Sequence, residues 1–98
     1  MQYEEWRYVV NYPEYSVSNL GNIRRTGATR GRPLTLRADD EGVIYVTPKP
    51  DAKDRRWFRL DRIVAMSFLE PPSRMNTPVI HIDGDLKNCR ADNLRWEE

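Results

Sequence analysis

One histidine and several short polar side chains near the end of the sequence could carry out hydrolytic chemistry. His81 lies in the stretch "VIHIDGDLKNCRADNLRW", residues 79–96, and an acidic glycine turn and a loop containing asparagines follow it. A neutral imidazole can take a proton from water, and the unperturbed pKa of histidine, about 6.5, suits that role. A Mg²⁺ ion would stabilise charge on a phosphate group. These residue types are therefore compatible with a hydrolytic metal site that acts on phosphate, with His81 as the general base.

The same stretch also allows a purely structural interpretation. Asp83-Gly84 is typical of a tight turn between two strands. His81 would then be a surface residue of a hairpin, and Asn93 would hydrogen-bond the loop. Asp83 and Asp85 are weak candidate metal ligands under the first interpretation and turn residues under the second. Residue types alone leave both interpretations open.

The first sixty residues predict a small, curled antiparallel sheet. Residues 15–25, "YSVSNLGNIRR", are typical of a strand, a turn and a second strand. Residues 42–47 and 55–60 are rich in β-branched and aromatic side chains, as strands are, and a polar connection separates them.

The last forty residues predict a helix and a hairpin. Apolar residues in 61–72 cover most of a short helix, so we expect it to be buried, with Asp61 as its N-cap and Pro71-Pro72 ending it. Strands are predicted at 77–82 and 93–96. The predicted fold class is α+β: a small antiparallel sheet followed by a short buried helix and a β-hairpin.

Length and composition set broad limits. The 98 residues suffice for one small domain, and no apolar run approaches the length needed to cross a bilayer. The N-terminus is acidic and aromatic, unlike a signal peptide, so we expect a cytoplasmic protein with no membrane partner. The lone Cys89 supplies neither an intrachain disulfide nor a cysteine-based zinc site.

Arginine is concentrated locally although the net charge is only +1. Five arginines and no acid lie between positions 24 and 37, and the polar turn before them can donate hydrogen bonds to phosphates and base edges. The alternative is a solvated loop without a partner. The candidate DNA-contacting residues are Ser18, Asn19, Asn22, Arg24, Arg25, Arg30, Arg32, Arg37, Arg55 and Arg59.

Three motifs resemble the HNH homing endonucleases of phages and mobile introns. "HIDGDLKNCRADNLRW" resembles their catalytic core, and "DRIVAMSFLEPP" resembles the helix that precedes it. The N-terminal "EEWRYV" and "YPEYSVSNLGNIRR" resemble a modular segment that is often fused to such nucleases and is thought to contact DNA. The resemblance implies a DNA-contacting segment over residues 1–60 and an HNH-like segment of the ββα-metal type over residues 61–98.

The resemblance implies roles for individual residues and also shows departures. His81 matches the general base, and Asn93 matches the asparagine that braces the loop and orients the histidine. Ile80 stands where the family has a metal-binding Asn or Asp, and Asp61 replaces a histidine. The sequence ends at Glu98, before the family's second metal ligand, so we expect a truncated, degenerate core lacking the final helix.

Three functions remain open at this point. The first is a DNA-binding protein derived from an HNH homing endonuclease, without nuclease activity and without a cofactor. The second is an active nicking enzyme that uses Mg²⁺, with His81 as base. The third is a phage-encoded inhibitor that binds a host or phage protein. Double-stranded DNA is the expected partner in the first two, and a homodimer is compatible with all three.

Overall fold

A computed structural model describes residues 3–9, 12–25, 36–46 and 58–98 of the chain. Within these residues the fold is α+β and contains three small antiparallel sheets and one α-helix. In chain order the elements are β1 (Trp6–Val9), β2 (Tyr12–Ser18), β3 (Ile23–Arg25), β4 (Leu36–Ala38), β5 (Ile44–Val46), β6 (Phe58–Arg59), α1 (Leu60–Phe68), β7 (Val79–His81), a 3-10 turn (Ala91–Asn93) and β8 (Leu94–Trp96).

The first sheet confirms the predicted strand, turn and strand. Strands β1, β2 and β3 pair in that order, and Val17 in the middle strand is fully buried. The register places Arg7 and Ile23 beside Val17, so these residues share the face that points toward the core. Gly21 supplies a φ of 85° in the turn between β2 and β3, a conformation that glycine adopts without strain.

The second sheet corrects the prediction of one curled sheet. Strands β4, β5 and β6 form a separate three-stranded sheet. The strand predicted within residues 42–47 is confirmed as β5. Strand β6 confirms two residues of the strand predicted at 55–60, but Leu60 belongs to α1 instead. Residues 55–57 lie outside the described residues. Strands β1 and β4 were missed, since neither shows a clear apolar alternation: all three residues of β4 are exposed.

Helix α1 is buried as predicted, but its start differs from the prediction. Leu60, Val64 and Ala65 are buried, and the helix ends at Phe68, before the two prolines. The N-cap is Arg59, which makes no side-chain capping hydrogen bond. The prediction that Asp61 caps the helix is therefore wrong: Asp61 lies inside the first turn, where its carboxylate faces other partners.

The C-terminal hairpin pairs β7 with β8. Val79 lies opposite Trp96, Ile80 opposite Arg95 and His81 opposite Leu94. The 3-10 turn leads directly into β8 and brings Asn93 back beside the loop that follows β7. Both predicted strands of the hairpin are confirmed.

One hydrophobic cluster draws on all three sheets and the helix. Its members come from both the N-terminal sheets and the C-terminal hairpin, and α1 packs between them. No helix in the described ranges is both apolar and long enough to cross a bilayer. The buried members of the cluster are Val9, Val17, Val46, Leu60, Val64, Ala65, Cys89 and Leu94.

Candidate functional site

His81 is the last residue of β7, and its imidazole is buried between α1 and the loop that follows β7. Its side chain is 1% exposed. Nε2 lies 2.9 Å from Oδ2 of Asp61, and Nδ1 lies 3.0 Å from the backbone carbonyl oxygen of Asn88. Groups of the protein itself therefore face both ring nitrogens.

Both partners of the His81 ring are hydrogen-bond acceptors. A carboxylate and a carbonyl offer only lone pairs, so each contact is a hydrogen bond only when the facing nitrogen carries a proton. A general base instead needs an unprotonated nitrogen within reach of the water that it activates. The ring is enclosed between these two acceptors and has almost no contact with solvent.

Asp61 is the centre of an ionic network that joins α1 to the hairpin. Burial favours the neutral acid, but hydrogen bonds from Arg59 and His81 outweigh it and hold the pKa of Asp61 below its ordinary value. Arg59 donates through Nε over 3.1 Å and through Nη2 over 2.8 Å. The Arg62 backbone N–H donates over 2.7 Å. Asp61 is therefore an ionised carboxylate that four donors can satisfy.

Asn93 braces the loop after β7 with every polar atom of its side chain. Oδ1 accepts the Asp83 backbone N–H over 3.0 Å. Nδ2 donates to Oδ1 of Asp83 over 2.9 Å and to the Asn88 carbonyl over 3.0 Å. The Asn88 carbonyl is also the acceptor that faces Nδ1 of His81. Asn93 and His81 thus contact the same carbonyl oxygen, which links the brace to the ring.

The acidic residues of the loop form turns. Oδ1 of Asp83 accepts the Asp85 backbone N–H over 2.8 Å, and its Oδ2 accepts Nδ2 of Asn88 over 2.9 Å. The hydrogen bond from Asn88 is the main cause that lowers the pKa of Asp83. Oδ1 of Asp85 accepts the Lys87 backbone N–H over 3.0 Å. Both carboxylates therefore stabilise local loop geometry.

The described residues do not fit a Mg²⁺ site. Magnesium requires several oxygen ligands in near-octahedral geometry. Ile80 offers no ligand atom, and the Asp83 carboxylate is bonded within its own loop. Among the described parts of the chain, no three His, Cys, Asp or Glu side chains are grouped so that they could hold a metal ion.

Three polar residues that were predicted to contact DNA have partners inside the protein. Ser18 is fully buried, and its hydroxyl donates to Oε2 of Glu4 over 2.8 Å. Nδ2 of Asn22 donates to the same carboxylate oxygen over 2.5 Å. These bonds lower the pKa of Glu4. Asn19 accepts the Glu5 backbone N–H and donates to the Tyr3 carbonyl. The three side chains therefore bind the segment that precedes β1.

The predicted arginines have different surroundings. The guanidinium carbon of Arg24 lies 3.8 Å from the centroid of the Trp6 ring, and Arg24 is exposed. Arg37 is exposed on β4, whereas Arg59 forms its ion pair with Asp61. Arg25 lies on β3. Arg30, Arg32 and Arg55 lie outside the described residues.

Neither partner of the His81 ring is among the predicted site residues. The sequence predicts Asp61 as a helix cap, whereas the structure places its carboxylate 2.9 Å from Nε2 of His81. The Asn88 carbonyl carries no side-chain signal at all. Tyr8 is not among the predicted DNA-contacting residues either, although it is 67% exposed on the sheet face opposite Val17.

Comparison with known proteins identifies the relatives of this chain. Residues 4–47 match the model of the NUMOD4 motif. Two uncharacterized HNH endonucleases of Acanthamoeba polyphaga mimivirus are 29% and 27% identical to it, over 96 and 92 residues. The solved structure of the HNH homing endonuclease I-HmuI, described as binding and cleaving DNA, superposes with a TM-score of 0.78 at 27% identity and covers 94% of this chain. This chain is HNH endonuclease-like and contains a NUMOD4 motif.

The HNH endonuclease-like chain spans only part of each relative. The alignments with the two viral proteins include 95% and 94% of this chain, but only 23% and 26% of the viral proteins. It corresponds to 51% of the I-HmuI chain. The resemblance inferred from the three motifs is confirmed, and the α+β fold with three small sheets resembles that of I-HmuI.

Proposed function

We propose that this HNH endonuclease-like chain binds double-stranded DNA and that its His81 does not act as a nuclease base. The observation that carries the second part is the position of the ring: Nε2 lies 2.9 Å from the Asp61 carboxylate, within a side chain that is 1% exposed. A base in this position would have to leave its carboxylate partner before it could reach water.

The DNA-binding part rests on the outer face of the first sheet. Tyr8 pairs with Ser16, and Ser16 pairs with Arg24, so these residues lie in a row across the three strands. This row lies on the face opposite Val17. Tyr8 and Arg24, at the two ends of the row, are exposed, whereas Ser16 between them is buried; Arg24 also stacks on Trp6. We name Trp6, Tyr8 and Arg24 the outer-face cluster.

The chemistry of the outer-face cluster suits a phosphate backbone. A guanidinium stacked on an indole is held in place by the ring, while the N–H groups at its edge can still donate to phosphate oxygens. A tyrosine hydroxyl is a further donor to phosphate or sugar. Such contacts fix a duplex on the protein without reading its sequence. The relative I-HmuI is described as binding DNA, which supports the same role for this chain.

Binding is tested with a labelled duplex of random sequence, by fluorescence anisotropy at several salt concentrations. We expect Arg24→Gln to weaken binding and to reduce the slope of log K against log salt by about 0.9, the value for one phosphate contact. Arg74→Gln is the matched control, because Arg74 is exposed in the loop between α1 and β7. Absence of binding at low salt, or equal losses in the two variants, would refute the proposal.

Nicking is the second candidate function, since both viral relatives are described as HNH endonucleases. Supercoiled plasmid is incubated with the chain and Mg²⁺ or Mn²⁺, with a chelator as control. We expect no nicking. Nicking that a chelator and His81→Ala both abolish would show that the ring leaves Asp61 and that His81 is a working base.

A further inference from the structure

The turn between β2 and β3 contacts the hairpin through main-chain atoms. The Asn19 carbonyl accepts the Ala91 backbone N–H over 2.8 Å. A Cβ atom on Gly21 would lie 3.1 Å from both the carbonyl carbon and the carbonyl oxygen of Cys89. We call this contact between residues 19–21 and 89–91 the backbone seam.

The backbone seam lies next to the carbonyl that faces His81. Cys89 directly follows Asn88, whose carbonyl oxygen is 3.0 Å from Nδ1 of His81 and accepts Nδ2 of Asn93. A shift of the Cys89 main chain would rotate or displace the preceding peptide group, since the two share a covalent bond. Cys89 is 4% exposed, so the described structure leaves little space for such a shift.

The other side of the backbone seam is also fixed. Oδ1 of Asn19 accepts the Glu5 backbone N–H over 2.7 Å, and its Nδ2 donates to the Tyr3 carbonyl over 2.9 Å. The Ser18 hydroxyl accepts the backbone N–H groups of Leu20 and Asn22. Hydrogen bonds within the turn and to the segment before β1 therefore fix the conformation of residues 19–21.

We propose that Asn19 and Gly21 are positioning residues for the His81 ring. Through the backbone seam they fix Cys89, which fixes the Asn88 carbonyl, which in turn sets the orientation of the imidazole. The N-terminal segment is then a structural part of the His81 site. This inference does not depend on DNA binding or on catalysis, because it concerns the geometry of the free protein.

Gly21→Ala is the direct test, and Gly42→Ala is its matched control. Both glycines have a positive φ, 85° and 100°, so alanine is strained at each. At Gly42 a Cβ would lie no closer than 3.7 Å to the side chain of Lys87, in the loop after β7, which is an ordinary van der Waals contact. At Gly21 it would meet the Cys89 main chain at 3.1 Å. The pair separates strain at the glycine from displacement of the seam.

The readout is the imidazole ¹⁵N spectrum, in which His81 is the only histidine. We expect Gly21→Ala to shift the Nδ1 resonance more than the Nε2 resonance, and Gly42→Ala to leave both unchanged. The single cysteine gives a second readout. Burial raises the pKa of the Cys89 thiol to about 12, so its reaction with a disulfide reagent is slow. We expect that reaction to accelerate several-fold in Gly21→Ala only.

Two outcomes would overturn the proposal: an Nδ1 resonance unchanged in folded Gly21→Ala, or equal shifts in the two glycine variants. If Gly21→Ala does not fold, Asn19→Ala and Asn22→Ala are compared. Asn19→Ala removes the side chain that holds the turn, whereas the Asn22 side chain donates to exposed Glu4. A larger Nδ1 shift in Asn19→Ala supports the proposal, and equal shifts refute it.

Discussion

Asp61→Ala is the substitution that most directly tests the ionic network around His81. The change removes a carboxylate that is 3% exposed and accepts hydrogen bonds from Arg59, with His81 as its buried partner. It leaves Nε2 of His81 buried without the acceptor that lies 2.9 Å away.

The expected loss in the free energy of unfolding depends on whether His81 and Arg59 can replace their lost hydrogen bonds to Asp61 with hydrogen bonds to water. A buried polar group left without its partner costs about 1–3 kcal/mol. The Arg59 side chain is 40% exposed and can regain water, so its loss adds less than about 1 kcal/mol. Breaking a fully buried ion pair costs about 3–5 kcal/mol. The partly exposed arginine places this network at the lower end, and we expect a loss of about 3 kcal/mol.

Urea unfolding at neutral pH, followed by tryptophan fluorescence, measures this loss for Asp61→Ala, His81→Ala and the double variant. We expect a coupling energy of about 1–3 kcal/mol between the two sites, because their side chains are in direct contact. Asp92→Ala is the matched control: its ion pair with Arg90 is 3.4 Å long and half exposed, so we expect a loss within about 0.5 kcal/mol. A loss below about 1 kcal/mol for Asp61→Ala, or a coupling energy near zero, would refute the reasoning.

Two further predictions concern stability. Because the folded state holds the pKa of Asp61 below its unfolded value, the stabilisation from this carboxyl is present above about pH 4 and is lost as the pH falls through the folded pKa. Urea midpoints measured from neutral to acidic pH should therefore fall less steeply in Asp61→Asn, and an unchanged acid dependence would contradict this. Ser67→Ala should stabilise the protein by up to about 1 kcal/mol, since the buried Ser67 hydroxyl has no hydrogen-bond partner among the described residues. A clear loss of stability on thermal unfolding would indicate a partner.

The order of elements could be predicted because local patterns dominate it. The asparagine and glycine turn after Ser18, the apolar circumference of α1 and the Asp83-Gly84 turn each give a strong local signal, and all three appear in the structure. Strand β4 gives no such signal, since its three residues are exposed and owe their conformation to pairing with β5. The division of six strands between two sheets depends on contacts distant in sequence, which local periodicity does not encode.

The candidate site was less accessible to sequence reasoning. Ser18, Asn19 and Asn22 have the composition of a phosphate-binding turn, yet they bind the main chain and the Glu4 carboxylate of the segment before β1. Whether such a side chain bonds within the protein or to a phosphate depends on which groups the tertiary fold brings close to it. The sequence shows only that the hydrogen-bond donors are present. His81 illustrates the same limit: the sequence predicts it as a site residue, but it predicts its Asp61 partner, twenty residues earlier, as a helix cap.

The backbone seam also bears on how the two halves of this chain can change. Main-chain groups carry the contact: the Asn19 carbonyl meets the Ala91 N–H, and Gly21 meets the Cys89 peptide. A junction of peptide groups tolerates most changes in side-chain identity, since every residue except proline supplies the same donor and acceptor. A different N-terminal segment should therefore keep the backbone seam if it has the same turn with a residue without Cβ at position 21, provided that it also keeps the apolar side chains, such as Val9 and Val17, that belong to the shared hydrophobic cluster.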